Sequence, residues 1–221
     1  MTSKEVCTRI HAIGILPSVR VRIQEHAKFA AEAVYSAGIP LAEITLTIPG
    51  ALQVIADLVA RFPDMIVGAG TVLDEEMARQ CVEAGARFLT SPGFIPEVVA
   101  YAKKADIVVL PGALTPSEVI AAWKAGGDFI KIFPTAPVGG AKYIRALKVP
   151  LPQVPLIVSG GVNQLTAFEF ILAGASAIGV GSELLPREAL RLHQENRIHE
   201  LARRFVGIVK EARAQRDSFQ N

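Results

Sequence analysis

Short apolar runs alternate with amphipathic stretches along most of the chain. Each run has the length of a buried strand, and each is followed by apolar residues at helical spacing. We predict eight strands, at 15–20, 41–47, 65–69, 88–91, 107–110, 129–133, 156–159 and 177–180. Regular alternation of strand and helix is typical of a parallel sheet with right-handed crossovers. Eight such units predict an α/β fold in which the sheet closes into a (β/α)8 TIM barrel.

The first strand-to-helix turn and the two terminal segments add detail to the predicted fold. An open doubly wound sheet would show the same alternation, but the first strand-to-helix turn lacks its glycine-rich dinucleotide fingerprint. Residues of about 3–12 have the pattern of a short amphipathic helix that Gly14 would end. The tail of about 187–215 carries apolar residues at helical spacing with charges between them, which predicts a final packing helix.

Composition and charge narrow the class of protein. The 221 residues are 51% hydrophobic and 20% charged, which indicates one globular domain over 1–221. The 23 basic and 21 acidic residues are interspersed except near the C-terminus, so we expect no nucleic-acid partner, whereas a small anionic substrate fits. No stretch resembles a signal peptide or approaches the ~20 apolar residues of a membrane span, so we expect a cytoplasmic protein without a membrane partner.

Histidine and cysteine positions bear on metal and redox chemistry. The four histidines do not cluster with acidic residues at predicted strand ends, which disfavours a divalent-metal enzyme. Cys7 and Cys81 lie far apart and follow no metal-ligand spacing, so we interpret them as reduced core thiols. We therefore expect neither a metal nor a cofactor.

One lysine interrupts an apolar strand. Lys131 shares a strand face with Phe129 and Phe133, because side chains two residues apart in a strand point the same way. Apolar surroundings disfavour the ammonium form, and a fully buried lysine can lose about 3–5 pKa units. A neutral amine can attack a carbonyl to form a Schiff base. A lysine that reaches the surface or pairs with a carboxylate is the alternative, and this run alone leaves both open.

Other polar residues occur at the ends of predicted strands, where barrel enzymes place their sites. Glu43 and Thr47 share the inward face of the second strand, Thr71 closes the segment that ends the third, and Ser91-Pro92-Gly93, in which the serine is the polar residue, ends the fourth. Polar side chains aimed into a barrel are costly to bury without a partner, water or ligand. These positions are therefore candidate site residues.

Glycines follow the last two strands. The seventh strand ends in Ser159-Gly160-Gly161, and the eighth ends in Gly179-Val180-Gly181-Ser182. Glycine lets backbone N–H groups approach an anion closely, and these two loops are the recurrent phosphate site of the barrel architecture. Ordinary tight turns are the alternative interpretation.

Taken together, these segments resemble a known family. The matching segments are 43–47, 68–72, 91–93, 110–112, 131–134 and 159–162. They resemble the 2-dehydro-3-deoxy-6-phosphogluconate (KDPG) / 4-hydroxy-2-oxoglutarate (KHG) aldolases, and the resemblance runs from about Ile15 to Ser182. It implies a class I aldolase, usually a homotrimer, on a (β/α)8 barrel. Such an enzyme cleaves a 2-keto-3-deoxy sugar acid phosphate reversibly to pyruvate and an aldehyde such as glyceraldehyde 3-phosphate.

The resemblance also implies a role for each matching position. Lys131 would form the Schiff base, and Glu43 would be the acid/base that moves protons. The substrate would contact Arg20, Thr47, Thr71, Pro92 and Phe133, and its phosphate would contact Ser159, Gly160, Gly161, Gly181 and Ser182.

One arginine of the family is placed differently among its members. Some carry it where this chain has Thr47, and others supply it from the first strand, at a position that aligns with Arg20. This chain resembles the second kind. Arg20 would then bind the substrate carboxylate or phosphate, for which a bidentate guanidinium is well suited. The alternative is a surface arginine after the first strand.

Two other functions fit part of the pattern. A phosphosugar epimerase or a phosphate-binding synthase on the same barrel would share the glycines after the last two strands, but it would not need Lys131 paired with Glu43. A non-catalytic phosphosugar-binding barrel would bind its ligand and survive the loss of Lys131.

Overall fold

A computed structural model describes residues 1–218 of the chain. Its strands are β1 (Ile15–Val19), β2 (Leu41–Thr45), β3 (Ile66–Gly70), β4 (Phe88–Thr90), β5 (Val108–Leu110), β6 (Gly112–Ala113), β7 (Ile130–Ile132), β8 (Leu156–Ser159) and β9 (Ala177–Val180). They form one sheet in the order β5-β4-β3-β2-β1-β9-β8-β7-β6. Each pairing is parallel, as the alternation of strands and helices predicts.

Helices connect the strands and flank the sheet. They are α1 (Ser3–Ile13), α2 (Gln24–Ser36), α3 (Ala51–Arg61), α4 (Glu75–Glu83), α5 (Pro96–Lys104), α6 (Pro116–Lys124), α7 (Ala141–Lys148), α8 (Thr166–Leu172), α9 (Arg187–Arg191) and α10 (Glu195–Ser218), with a 3-10 turn at Ala136–Val138. The result is a nearly closed parallel α/β barrel with helices outside it.

The fifth strand continues past its predicted end at Leu110, with an interruption at Pro111. The segment before the proline, β5, pairs with β4, and the segment after it, β6, pairs with β7. Proline cannot donate to a ladder, but its carbonyl can accept, and the backbone N–H of Lys131 donates to Pro111 O at 2.9 Å. The same stretch of chain thus meets both ends of the sheet, and eight predicted strands become nine segments.

The second predicted strand ends earlier than expected. β2 stops at Thr45, because the backbone N–H of Ile48 donates to Thr45 O at 3.1 Å and turns the chain away from the sheet. Thr47 therefore lies in an exposed turn and not on the inward face of the strand. In the sequence, polar and apolar residues alternate as far as Thr47, but the hydrogen bonds of the sheet do not extend that far.

Helix α1 covers the amino-terminal end of the barrel. It contacts β5 and β9 and buries Val6 and Ile10. Ser3 Oγ donates to Asp106 Oδ1 at 2.6 Å, and Arg9 donates to the carbonyl of Asp64 at 3.2 Å. These two acceptors directly precede β5 and β3, so α1 lies across the starts of the strands. The carboxyl ends of the strands form the open end.

The C-terminal tail forms two helices and not the single one expected. His193 has a φ of 49°, a conformation that a right-handed helix does not contain, and it separates α9 from α10. Helix α10 packs against α8 and α2 and buries Ile198, Leu201 and Phe205. None of the helices within residues 1–218 is long and apolar enough to cross a membrane.

Candidate active site

The side chains of Lys131 and Glu43 meet inside the barrel. Lys131 lies in β7 and Glu43 in β2, and the two residues are only 8% and 1% exposed to solvent. Lys131 Nζ lies 3.3 Å from Glu43 Oε2 and 3.5 Å from Oε1. A third group, Thr90 Oγ1 at the end of β4, lies 3.2 Å from the same nitrogen. The structure therefore gives the lysine a carboxylate partner, and this partner is the candidate acid/base itself.

The geometry of this pair is loose for a structural ion pair. Charge-assisted N–H···O bonds are usually about 2.7–2.9 Å long, and both distances here exceed that range. Desolvating two charges is costly, and a buried pair offsets that cost only with good geometry and further hydrogen bonds. At these distances the pair is a weak source of stability for the fold.

Two small residues shape the environment of Glu43. Ser18 is paired with Glu43 in the β1–β2 register, and its hydroxyl donates to Glu43 Oε1 at 2.9 Å. Gly70, the last residue of β3, lies against the same carboxylate, and a Cβ there would be 2.8 Å from Glu43 Cδ. Ser18 thus holds the carboxylate by a hydrogen bond, and Gly70 leaves space for it because glycine has no side chain.

Thr71 follows Gly70 in an unfavourable backbone conformation. Its φ is 63°, in the left-handed region that β-branched residues rarely adopt. Such strain persists only where the surroundings enforce it, and it clusters at functional sites. The next residue is fixed to β4, because Val72 N donates to Thr90 O at 3.0 Å. The strained residue therefore lies at the carboxyl end of β3, between the elements that carry Glu43 and Thr90.

A cavity of about 320 Å³ opens at the carboxyl ends of the strands, and neither Lys131 nor Glu43 is among its lining residues. It brings together the predicted phosphate residues and two predicted substrate residues. Its lining includes Ser159, Gly160, Gly161, Gly181, Ser182, Arg20 and Phe133, together with Ser18 and Arg187. Ser18 links the cavity to Glu43, and Phe133 links it to the lysine, since Lys131 Nζ lies 6.0 Å from the centre of the Phe133 ring.

The loop after β8 requires its glycines. Gly160 and Gly161 have φ values of 82° and 90°, and a Cβ on Gly161 would overlap the Cβ of Ala136. This loop is tied to the strand that carries the lysine, because the backbone N–H of Thr135 donates to Ser159 O at 3.0 Å. The backbone N–H of Ala136 donates to Gly160 O at the same distance. The candidate phosphate loop and Lys131 are therefore positioned by one connected segment.

Other predicted site residues lie elsewhere. Pro92 follows β4 and is exposed, and its backbone packs closely against Gly112 of β6. Thr47 lines a second cavity of about 520 Å³, which it shares with Arg20, Arg187 and His26. The structure thus brings Arg20 to both cavities, whereas Thr47 is part of the second.

Sequence reasoning missed Ser18, Thr90 and Arg187. Ser18 shares a strand face with Leu16 and Arg20, so its direction could have been deduced, but its contact with Glu43 depends on strand register. Thr90 ends a predicted strand, which was a usable signal. Arg187 begins α9 after an irregular loop, and nothing in its local sequence marks it.

The two cysteines are not among the residues of the candidate site. Burial raises the pKa of the Cys7 thiol to about 11 and that of the Cys81 thiol to about 12. Both cysteines are free. In the part of the chain that the structure describes, no group of three or more His, Cys, Asp or Glu side chains is arranged to hold a metal ion.

The family model for KDPG and KHG aldolase matches residues 6–201 of the chain. The chain belongs to this aldolase family. As an aldolase it is a carbon–carbon lyase, and the members of its family catalyse reversible aldol cleavage. The KHG/KDPG aldolase of Escherichia coli is 34% identical to it over 197 residues, which cover 89% of this chain and 92% of that protein.

Solved structures of similar proteins agree with the assignment of this chain to the aldolase family. A KDPG aldolase from Legionella pneumophila, with pyruvate captured at low pH as a covalent carbinolamine intermediate, is 33% identical with a TM-score of 0.83 and covers 89% of this chain and 95% of that one. The KDPG aldolase of Zymomonas mobilis, solved with 3-phosphoglycerate, is 27% identical with a TM-score of 0.83 and covers 93% and 97% of the two chains. The barrel is therefore the fold of this family.

Proposed function

We propose that this aldolase is a class I enzyme that cleaves a 2-keto-3-deoxy sugar acid phosphate reversibly to pyruvate and an aldehyde. The proposed substrate is of the 2-dehydro-3-deoxy-6-phosphogluconate type, with glyceraldehyde 3-phosphate as the aldehyde, and 4-hydroxy-2-oxoglutarate is a second candidate. The observation that carries the proposal is the buried contact between Lys131 Nζ and both oxygens of Glu43, at 3.3 and 3.5 Å.

The first step is formation of the imine. Glu43 lies close enough to accept a proton from the ammonium group of Lys131, which frees the nitrogen lone pair. The amine then attacks C2 of the keto acid and forms a carbinolamine. The proton held by Glu43 passes to the carbinolamine hydroxyl, which leaves as water, and this gives a protonated imine and the carboxylate form of Glu43 again. The neighbour from Legionella pneumophila carries pyruvate as a carbinolamine. This supports the same first adduct on Lys131.

Cleavage follows from the positive charge on the imine. The carboxylate of Glu43 takes the proton of the C4 hydroxyl, and the C3–C4 bond breaks as the aldehyde forms. The electron pair of that bond becomes the C2–C3 double bond of an enamine, while the C=N pair returns to nitrogen. The protonated Glu43 then gives its proton to C3, and hydrolysis of the resulting imine releases pyruvate and the free lysine.

The cavity supports a phosphorylated substrate. Backbone N–H groups near glycine and the hydroxyls of Ser159 and Ser182 are suitable donors for phosphate oxygens. Arg20 and Arg187 line the same cavity and add two guanidinium groups, which bind phosphate well in bidentate geometry. Thr47 is outside this cavity, which supports Arg20 as the arginine that contacts a substrate anion.

A chemical trapping experiment tests the proposal. The protein is incubated with pyruvate and borohydride, and its mass and peptides are analysed. We expect a reduced pyruvate adduct on Lys131, and none in a Lys131→Met variant that keeps the side-chain volume. Circular dichroism confirms that both proteins are folded. Folded wild-type protein without an adduct would overturn the class I mechanism and favour an epimerase, a synthase or a binding barrel.

We propose a homotrimer in solution, on the basis of the family resemblance. Sedimentation equilibrium measures the mass of the assembly directly. A mass three times that of the 23.6 kDa chain is expected, and a monomer would contradict the proposal.

A further inference from the structure

Ser18 makes a contact that the mechanism above does not use. Its Oγ donates to Glu43 Oε1 at 2.9 Å, and the two residues are direct partners in the β1–β2 register. Neighbouring residues in register on parallel strands point their side chains to the same face, so the hydroxyl follows the carboxylate into the barrel. Ser18 is half-buried and also lines the 320 Å³ cavity. It therefore lies between the carboxylate and the space that the substrate would fill.

The contact makes the two oxygens of Glu43 unequal. Oε1 accepts from Ser18 and lies 3.5 Å from Lys131 Nζ, whereas Oε2 lies closer to the nitrogen, at 3.3 Å. Gly70 leaves room for this carboxylate and supplies no side chain to hold it, since a Cβ there would be 2.8 Å from Glu43 Cδ. A terminal carboxylate torsion is broad and turns easily unless something fixes it. Ser18 supplies that fixation through one oxygen.

We propose that Ser18 is a positioning residue that holds Glu43 by Oε1, so that Oε2 is the atom that takes and gives protons. The proposal rests on the proposed function, because it concerns the proton transfers assigned there to Glu43. Proton transfer is sensitive to such placement because donor and acceptor must lie within hydrogen-bond reach.

Pyruvate alone reports on this transfer. In the protonated imine of pyruvate, Glu43 Oε2 removes a proton from C3, and the C–H electron pair forms the C2–C3 double bond of the enamine. Return of a solvent-derived proton from Glu43 to C3 completes one exchange. In D2O the methyl group of pyruvate therefore gains deuterium, and the rate of this exchange reports proton transfer by Glu43. Borohydride trapping reports imine formation by Lys131.

A matched pair of variants separates the hydroxyl from the shape of the side chain. Ser18→Thr keeps the donor, and Ser18→Val has the shape of threonine without it. We expect Ser18→Val to slow deuterium exchange by about 10- to 100-fold, a part of the 10²–10⁴-fold that a general base contributes. Ser18→Thr should restore most of the rate, and both variants should give as much reduced pyruvate adduct as the wild type.

Three outcomes would overturn the proposal. Equal exchange rates in Ser18→Thr and Ser18→Val would show that the hydroxyl does nothing for Glu43. A loss of adduct in parallel with exchange, in variants that circular dichroism shows to be folded, would mean that Ser18 acts on imine formation by Lys131 and not on proton transfer by Glu43. A raised KM for the sugar acid with unchanged pyruvate exchange would make Ser18 a substrate-binding residue. Failure of the wild type to form any adduct would instead overturn the proposed function, so the two failures are distinguishable.

A double variant checks that Ser18 acts through Glu43. In a Glu43→Gln background the exchange rate is already low, and we expect Ser18→Val to slow it by less than about twofold. When one residue acts through another, the free-energy changes of the two substitutions do not add. When the residues are independent they do add, so the two factors in rate multiply. A full second loss in the double variant would contradict the proposal.

Discussion

Gly70 leaves the space that the carboxylate of Glu43 occupies. A Cβ at this position would overlap Glu43 Oε1 and lie 2.8 Å from Cδ. Because the overlapping atoms belong to the end of a flexible side chain, Gly70→Ala should move the carboxylate and leave the strand in place. We expect kcat to fall at least tenfold while the free energy of unfolding changes by less than about 1 kcal/mol.

Gly68 provides the matched control in the same strand. A Cβ there would overlap the ring of Phe88, which is fully buried and cannot move aside. Gly68→Ala should therefore destabilise the fold by about 1–3 kcal/mol through overpacking. Urea unfolding and steady-state kinetics on both variants check the contrast, and a Gly70→Ala protein with wild-type kcat would contradict it.

Glu43→Gln keeps the shape of the side chain and removes its base. We expect kcat for cleavage to fall by about 10²–10⁴-fold, because the amide cannot accept the C4 proton, while imine formation remains possible. Borohydride trapping and steady-state rates measure the two effects separately. Glu75→Gln, at the exposed start of α4, is the control and should leave kcat unchanged. Equal rates for Glu43→Gln and the wild type would remove Glu43 from its role.

Arg187 should affect binding of the phosphate and not the chemistry. A hydrogen bond to a charged group contributes about 1.5–3 kcal/mol, and solvent lowers this because Arg187 is exposed. We expect Arg187→Gln to raise KM for the phosphorylated sugar acid by about tenfold with little change in kcat. KM for the unphosphorylated analogue should not change. Arg203→Gln, on the exposed face of α10, is the control. An equal rise in KM with both substrates would exclude a phosphate contact.

The two thiols should react slowly in the folded protein. Burial disfavours the thiolate, so the pKa of Cys7 is raised to about 11 and that of Cys81 to about 12. At pH 8 the thiolate fraction of Cys7 is then about one in a thousand, and it rises as the pH approaches 11. Alkylation by iodoacetamide, followed by mass spectrometry, should label Cys7 before Cys81. Rapid labelling of Cys81 without unfolding would contradict its burial.

Sequence patterns predicted the sheet because parallel strands buried on both faces are short apolar runs that helices separate. They missed the strand segment after Pro111, because the apolar run of the fifth predicted strand ends at Leu110. The carbonyl of Pro111 still accepts a hydrogen bond, so β6 continues the ladder beyond it. They failed at Thr47 because the alternation of residue types continues for two positions after the strand has ended at Thr45.

The candidate site was predicted only in part, for physical reasons of the same kind. Lys131 and Glu43 stand out because charged residues are rare in apolar strands. Ser18 and Thr90 are small polar residues, common in any strand, and become informative only when register and barrel closure bring them within 3.2 Å of a charged atom. Arg187 depends on an irregular loop whose path the local sequence does not determine.

Helix α1 lies across the amino-terminal starts of the strands and blocks passage through the barrel. The cavity opens at the opposite, carboxyl end of the strands, where the glycine loops line it, and Lys131 is buried inside the barrel. In the proposed reaction pyruvate remains covalently attached to Lys131 when the aldehyde has already been freed at the rim. The two products therefore depart in a fixed sequence, aldehyde first, and in carbon–carbon bond formation pyruvate has to enter before the aldehyde blocks its way.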